Sequence, residues 1–263
     1  MSNIFGNMSS EGLEETQDRL GGFSAYDTDA YDGILKAVYA GQSDGGARSV
    51  TVIVTLPQGE YRETLWVTNK AGENFYIVKD RNGNPVKDDK GNPKKAALPG
   101  WIIFEDICLV TLGKEPKELT AEDKVMNIYD PEAKKELPKS VPMFVELLQQ
   151  PVTLGIVKSL EDKTKNDGAG NYVPTGETRE ANTIDKVFHT GTKSTVVEAR
   201  EAQKAGKAPE ATFYNKWVEK NKGQTRDKTD KNAAKNGGKA GRPGSNAAPQ
   251  AGQQQRAPSL FGK

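Results

Sequence analysis

Residues 48–56 read RSVTVIVTL, and after Pro57-Gln58-Gly59 residues 60–69 read EYRETLWVTN. Both segments alternate with the period of two that marks a strand. Val50, Val52 and Val54 point one way, and Thr51, Ile53 and Thr55 the other. In the second segment Leu65 and Val67 face a core, while Arg62, Thr64, Trp66 and Thr68 share the opposite face. The Pro/Gly break between the two is short enough to make them antiparallel neighbours. Upstream, the apolar and aromatic run YDGILKAVYA (31–40) supplies a third strand. The ordered part of the chain therefore opens on a three-strand meander, closed by Thr68-Asn69-Lys70-Ala71-Gly72-Glu73-Asn74-Phe75-Tyr76.

Downstream, residues 77–98 hold two near-copies of a turn phrase, KDRNGNP (79–85) and KDDKGNP (87–93). Asn-Gly and Gly-Asn-Pro are turn chemistry, so a protruding polar hairpin or loop is expected. Residues 101–112 (WIIFEDICLVTL) are almost wholly apolar, with Pro99-Gly100 before and Gly113 after as start and stop signals; they read as a buried helix. A second helix is expected at 142–150, a fourth strand at 152–160, a fifth at 181–189, and a long charged loop at 161–180. Residues 209–221 read as a helix with Phe213 and Trp217 on one side. The succession strand-strand-strand-helix-strand-strand is that of the five-stranded Greek-key barrel called the OB-fold. The fold class expected is mainly β with α insertions (α+β). The domain spans 30–221 with an insertion at about 114–150, between an acidic flexible segment 1–29 and a disordered basic tail 222–263.

Composition agrees with partial order. Only 35% of the 263 residues are AVILMFWYC and 28% are charged, lean for a core of that length. One cysteine, Cys108, allows no internal disulfide, and with the single His189 it cannot build a Cys/His zinc site. No apolar run reaches the length of a membrane span, and Met1-Ser2-Asn3-Ile4-Phe5 carries neither a basic nor an apolar leader signal. These features suit a soluble protein of a reducing compartment. The net charge of +1 conceals an asymmetry: six acids against one base in residues 1–30, ten bases against three acids in residues 218–263. A basic tail is an electrostatic footprint for a polyanion.

Arg62, Trp66, Lys70, Phe75, Tyr76, Lys79 and Arg81 fall within about twenty residues. Aromatic faces beside cations suit single-stranded nucleic acid, whose bases stack and whose phosphates need neutralising. A second core laid over that face would instead bury Trp66 and Phe75 as packing. Tyr76, adjacent to Phe75 and facing the other way if extended, is the aromatic placed for contact. A second group, Lys163, Lys165, Tyr172 and Arg179, lies in the 161–180 loop, which could close over a strand or be ordinary solvated surface.

Catalytic readings are weaker. One histidine would have to serve as any base. Cys108 lies within the apolar helix with no cation near it in sequence. No Walker-type GxxxxGK occurs. Glu105-Asp106 is a pair of carboxylates, but adjacent positions on a helix point about 100° apart. The chain is read as a non-enzyme without cofactors or metal.

The phrases TNKAGENFY (68–76), LPGWIIFEDICLVTLGK (98–114), YDPEAKKELPKSVPM (129–143), VTLGIVKSLEDKTKNDGAGNYVPTGETREANTIDKVFH (152–189) and KWVEKNKGQTRDK (216–228) resemble those of bacteriophage single-stranded-DNA-binding proteins, nearest to those of short-tailed phages of enteric bacteria. The resemblance implies an OB-fold, sequence-tolerant binding of single strands, and work in phage replication and recombination within the infected cell's cytoplasm. It places an aromatic of the GENFY phrase at the DNA surface, here Tyr76 with Phe75 as the alternative. It also implies contacts with host or phage RNA polymerase, DNA polymerase or recombination proteins, and hence a role in transcription regulation. Bacterial single-strand binders commonly end in an acidic tail with an aromatic tip. This chain instead ends in a basic one, where Leu260 and Phe261, flanked by Lys263, are expected to form a small apolar anchor for a partner. An adaptor of a polymerase and a metal-dependent nuclease are the rival readings.

Overall fold

A computed structural model describes residues 25–130, 132–168 and 172–229. The acidic segment up to residue 24, the tail beyond 229, and with it Leu260, Phe261 and Lys263, lie outside the described residues. Ten strands and three α-helices are formed there. The protein is mainly β with a few helices, built on an open antiparallel sheet.

The expected meander is present as β1 (Asp29–Gln42), β2 (Arg48–Leu56) and β3 (Gly59–Trp66), in unbroken antiparallel register from β2 to β3. The two faces of β2 divide as the alternation requires. Val50, Val52 and Val54 enter the main core, whereas Ile53 enters a second cluster on the other face. Leu65 and Val67 are buried.

The next strands form a hairpin pair. β4 (Phe75–Ile77) and β5 (Lys95–Ala97) make a small separate ladder at the base of the expected polar arm. Helix α1 (Pro99–Leu112) follows, with Pro99 in its first turn and Gly113 left-handed at its end, its N–H donating to the Leu109 carbonyl. Ile103, Phe104, Ile107 and Cys108 are buried and belong to the main core.

The insertion is a hairpin. β6 (Glu122–Asp130) and β7 (Lys135–Met143) pair along their whole length, and Met143 reaches Tyr39 of β1. Val141 and Met143, backed by Met126 and Ile128, cover Ala37, Tyr39 and Ile53. The helix expected at 142–150 is not formed: Met143 ends β7, and only the single 3-10 turn Val145–Leu147 follows. Pro142 and Pro151, lacking N–H groups, bracket a segment too short for a helix whose apolar residues are claimed by two different clusters.

Strands β8 (Pro151–Asn166) and β9 (Tyr172–Phe188) are far longer than expected. The supposed 161–180 loop is a two-stranded arm, its ladder running out to Asn166 opposite Tyr172. Its side chains are polar on both faces, so the apolar alternation that marks a half-buried strand is missing there. β8 pairs with β1, giving the order β3-β2-β1-β8-β9. Among the described residues no ladder joins β3 to β9. That gap is spanned by α1, which packs on both strands, and by the half-buried Glu63. Its Oε2 accepts the Tyr61 hydroxyl at 2.6 Å and the Ile184 N–H of β9 at 2.7 Å.

Helix α2 (Val196–Lys204), which the sequence reading does not include, begins with a capping box between Thr195 and Glu198. Helix α3 (Thr212–Asn221) falls where expected and buries Trp217 against Val157 and Phe188. The tail boundary at 222 is corrected: β10 (Thr225–Asp227) pairs in parallel with β8. Correspondingly, residues 25–29 are not a loose segment. Ala25 and Thr28 are buried, the Thr28 hydroxyl donates to the Gln224 carbonyl, and Asn182 bonds both the N–H and the carbonyl of Tyr26.

Candidate nucleic-acid interface

The face of β3 opposite the core carries Arg62, Thr64 and Trp66. A second core does cover part of that face, but it stops at Ile53 and Tyr39 and leaves Trp66 47% exposed. Tyr76 is 46% exposed, whereas Phe75 is half-buried with the Lys95 ammonium 4.0 Å from its ring centre. Backbone pairing brings these aromatics to one corner. Leu98 N–H donates to the Asn74 carbonyl, and Tyr76 pairs with Ala96. The start of α1 then lies so close to Trp66 that a Cβ on Gly100 would sit 2.4 Å from the Trp66 carbonyl oxygen.

One local device shapes the corner three times over. At Asn69, Asp80 and Asp88 the side-chain Oδ1 accepts the N–H groups two and four residues on, at 2.8–3.0 Å. In each, the fourth residue is a glycine with positive φ: Gly72, Gly83 and Gly91. The return of the chain needs a left-handed residue, and glycine adopts it without a Cβ clash. The sequence shows two copies plainly; the first is hidden because it begins with asparagine and lacks the Asn-Pro ending. Lys70, Lys79, Arg81, Lys87 and Lys90, in and beside these turns, are all exposed. Residues 77–97 carry six bases against three acids, and Asp80 and Asp88 are engaged within their turns. Among the described residues no ion pair engages Lys70, Lys79 or Arg81. Lys70 also packs beside the β1–β2 turn, where Gly45 leaves room for its side chain.

The second group lies on the β8–β9 arm and is differently charged. Lys163 is held by Glu177 at 2.9 Å, and Arg179 lies 3.7 Å from Glu161. The Lys163 ammonium holds the Glu177 carboxyl below the usual carboxylate range. Lys165 and Tyr172 are exposed near the tip, no described ion pair engaging Lys165. Arg62, on β3, faces Glu60 at 3.8 Å. The arm is thus a largely self-neutralised ribbon, whereas Lys70, Lys79 and Arg81 are exposed without a described ion pair and lie close in the chain to the exposed rings of Trp66 and Tyr76.

Two carboxyls away from this corner are displaced from their ordinary values. Burial pushes Asp106 up to about 6, with Lys186 and Arg200 opposing the rise and Glu105 adding to it. Burial also opposes ionisation of Asp185, but the Trp217 indole and Arg226 guanidinium that bond it outweigh this and hold it below the usual range. Cys108 is buried and its thiol is pushed up to about 12 by that burial, which leaves it unreactive. No helix among the described residues is long and apolar enough to cross a membrane.

No protein-family model matches the chain, and comparison with curated proteins and with solved structures gives no match either.

Proposed function

We propose that this protein binds single-stranded DNA without regard to sequence, coating transient single strands during phage replication and recombination, as the resemblance in phrasing implies. The observation that carries the reading is that Trp66 and Tyr76 stand half-exposed and close in the chain to the exposed Lys70, Lys79 and Arg81, which no ion pair engages among the described residues. Rings left open to water next to cations give bases a stacking face and phosphates a counter-charge. The strand order β3-β2-β1-β8-β9 with a helix after β3 supports an OB-fold, α1 and Glu63 lying where a barrel would close. In that fold the face of the second and third strands takes the oligonucleotide, with the loops joining strands one to two and four to five; Trp66 ends β3 on its face away from the core, and Lys70 packs beside the β1–β2 turn. Contacts with polymerases or recombination proteins through Leu260, Phe261 and Lys263 form a separate part of the proposal.

Fluorescence titration of single-stranded, duplex and RNA oligonucleotides across a salt series tests the reading. Preference for single-stranded DNA, with affinity falling as salt rises, is expected. Comparable affinity for duplex, or binding unaffected by loss of both Trp66 and Tyr76, would overturn it.

A further inference from the structure

Strand β6 is the outermost strand of the covering hairpin, pairing only with β7 among the described residues. Its nine residues run in unbroken register, with no proline, glycine or bulge. Native edges are usually blunted by such features, because unpaired N–H and C=O groups template pairing with another chain. The outer edge of the β8–β9 arm shows the blunting: Pro174, Gly176 with positive φ, and the charges of Glu177, Arg179 and Glu180. β6 keeps charges toward its ends, Glu122, Asp123, Lys124 and Asp130, but its central stretch carries Val125 at 72% exposure and Tyr129 at 55%, which with Val197 are the most exposed large apolar or aromatic side chains among the described residues.

The sequence of β6 complements itself. Laid antiparallel against its own copy about a two-fold axis through Asn127, Lys124 falls opposite Asp130, Val125 opposite Tyr129 and Met126 opposite Ile128, each pair occurring twice. Directly opposed residues in an antiparallel ladder share a face, so the Val125–Tyr129 pairs cover one another on the exposed face. Moving the axis to Met126 sets Glu122 against Asp130; moving it to Ile128 sets Met126 against Asp130. Of these three registers, only the one about Asn127 matches both charge and polarity.

We infer that β6 is a self-association edge, through which two copies of the chain join their hairpins into a continuous four-stranded β7-β6-β6-β7 sheet about a two-fold axis at Asn127. The interface is small and isologous, so the dimer is weak and reversible. Lys124, which in one chain holds Glu122 of its own strand at 2.8 Å, turns to Asp130 of the second copy.

The test uses the full-length chain free of DNA. Sedimentation from about 1 to about 100 μM, the range in which so small an interface associates, should show a mass rising from that of the 28.6 kDa monomer toward the dimer. Asn127→Cys places the thiols of the two copies face to face, within the distance a disulfide spans. Mild oxidation should link it into dimers about tenfold more than Asp123→Cys, which this register places opposite no residue of β6. The native Cys108 is buried and does not interfere. Val125→Lys, at an exposed position that leaves the fold intact, should hold the protein monomeric. A monomer throughout the range, equal cross-linking of the two cysteine variants, or a dimer that survives Val125→Lys would each overturn the proposal.

Discussion

Phe75 and Tyr76 are neighbours on β4 with opposite surroundings: Phe75 is half-buried under Lys95, whereas Tyr76 faces water. Tyr76→Ala should therefore cost about 1–3 kcal/mol of oligonucleotide binding and little thermal stability, read by fluorescence titration beside a melting curve. An unfolded variant would make Tyr76 part of the core. That Tyr76 and not Phe75 is the open ring was legible in the alternation of an extended strand. The cover that ends short of Trp66 was not, because it comes from residues 122–143, more than fifty positions away. Asp106 offers a second residue-scale test. Its folded value of about 6 lies above its unfolded value, so the folded state binds the extra proton and this carboxyl favours folding at low pH. Its contribution falls as pH rises from about 4 to about 6. Asp106→Asn should flatten that part of the stability profile and stabilise the protein at pH 8 by about 1–3 kcal/mol, the upper figure for the whole shift and the lower for its value once solvent screens a partly buried group, measured by urea denaturation at both ends of the range.

Among elements, the β4–β5 hairpin and the β8–β9 arm both carry cations but in different states. Removing Lys70, Lys79 and Arg81 together should flatten the dependence of log affinity on log salt by about 2, near 0.7 for each phosphate no longer neutralised. Removing Lys163 and Arg179, already held by Glu177 and Glu161, should leave the slope almost unchanged; an equal effect of the two sets would show that DNA breaks the arm's ion pairs. Helix α1 was readable from its proline and glycine signals. What it touches was not: Gly100→Ala puts a methyl group against the Trp66 backbone and should cost about 1–3 kcal/mol of stability while disturbing the aromatic corner, read by denaturation and by titration. The arm escaped the sequence reading because a ribbon with both faces in water has no apolar period to display.

At the scale of the whole molecule, the two ends of the described core meet on β8 and β9. A bulge at Asp185, where β9 steps past β8, turns its carboxylate toward Trp217 Nε1 at 2.7 Å and Arg226 Nη1 at 2.8 Å. That one group ties α3 and β10 to the sheet, and Lys228 adds a 3.0 Å ion pair to Glu161. Asp185→Ala should destabilise the protein by about 2–3 kcal/mol and expose the chain after Arg226 and Lys228 to trypsin, followed by timed proteolysis. Because this carboxyl lies below its unfolded value, the stability it lends is present at neutral pH and is lost as pH falls below about 4.

The sequence by itself determined the meander, the helix from Pro99, the polar turn-rich hairpin and the helix around Trp217. Each is written in local chemistry: a period of two, a proline before and a glycine after, an Asn-Gly turn, an apolar stripe. It also carried the aromatic and basic residues of the corner as a cluster in the chain. Only the tertiary structure decided which of them remain open, because exposure depends on what distant segments cover. The β6–β7 hairpin covers Tyr39 and Ile53 and stops before Trp66. The carboxylates of the β8–β9 arm neutralise its own cations, and the opening between β3 and β9 is spanned by a helix and one half-buried carboxylate rather than by a ladder. Those outcomes are set by pairing and packing between residues far apart in the chain, which no local pattern encodes.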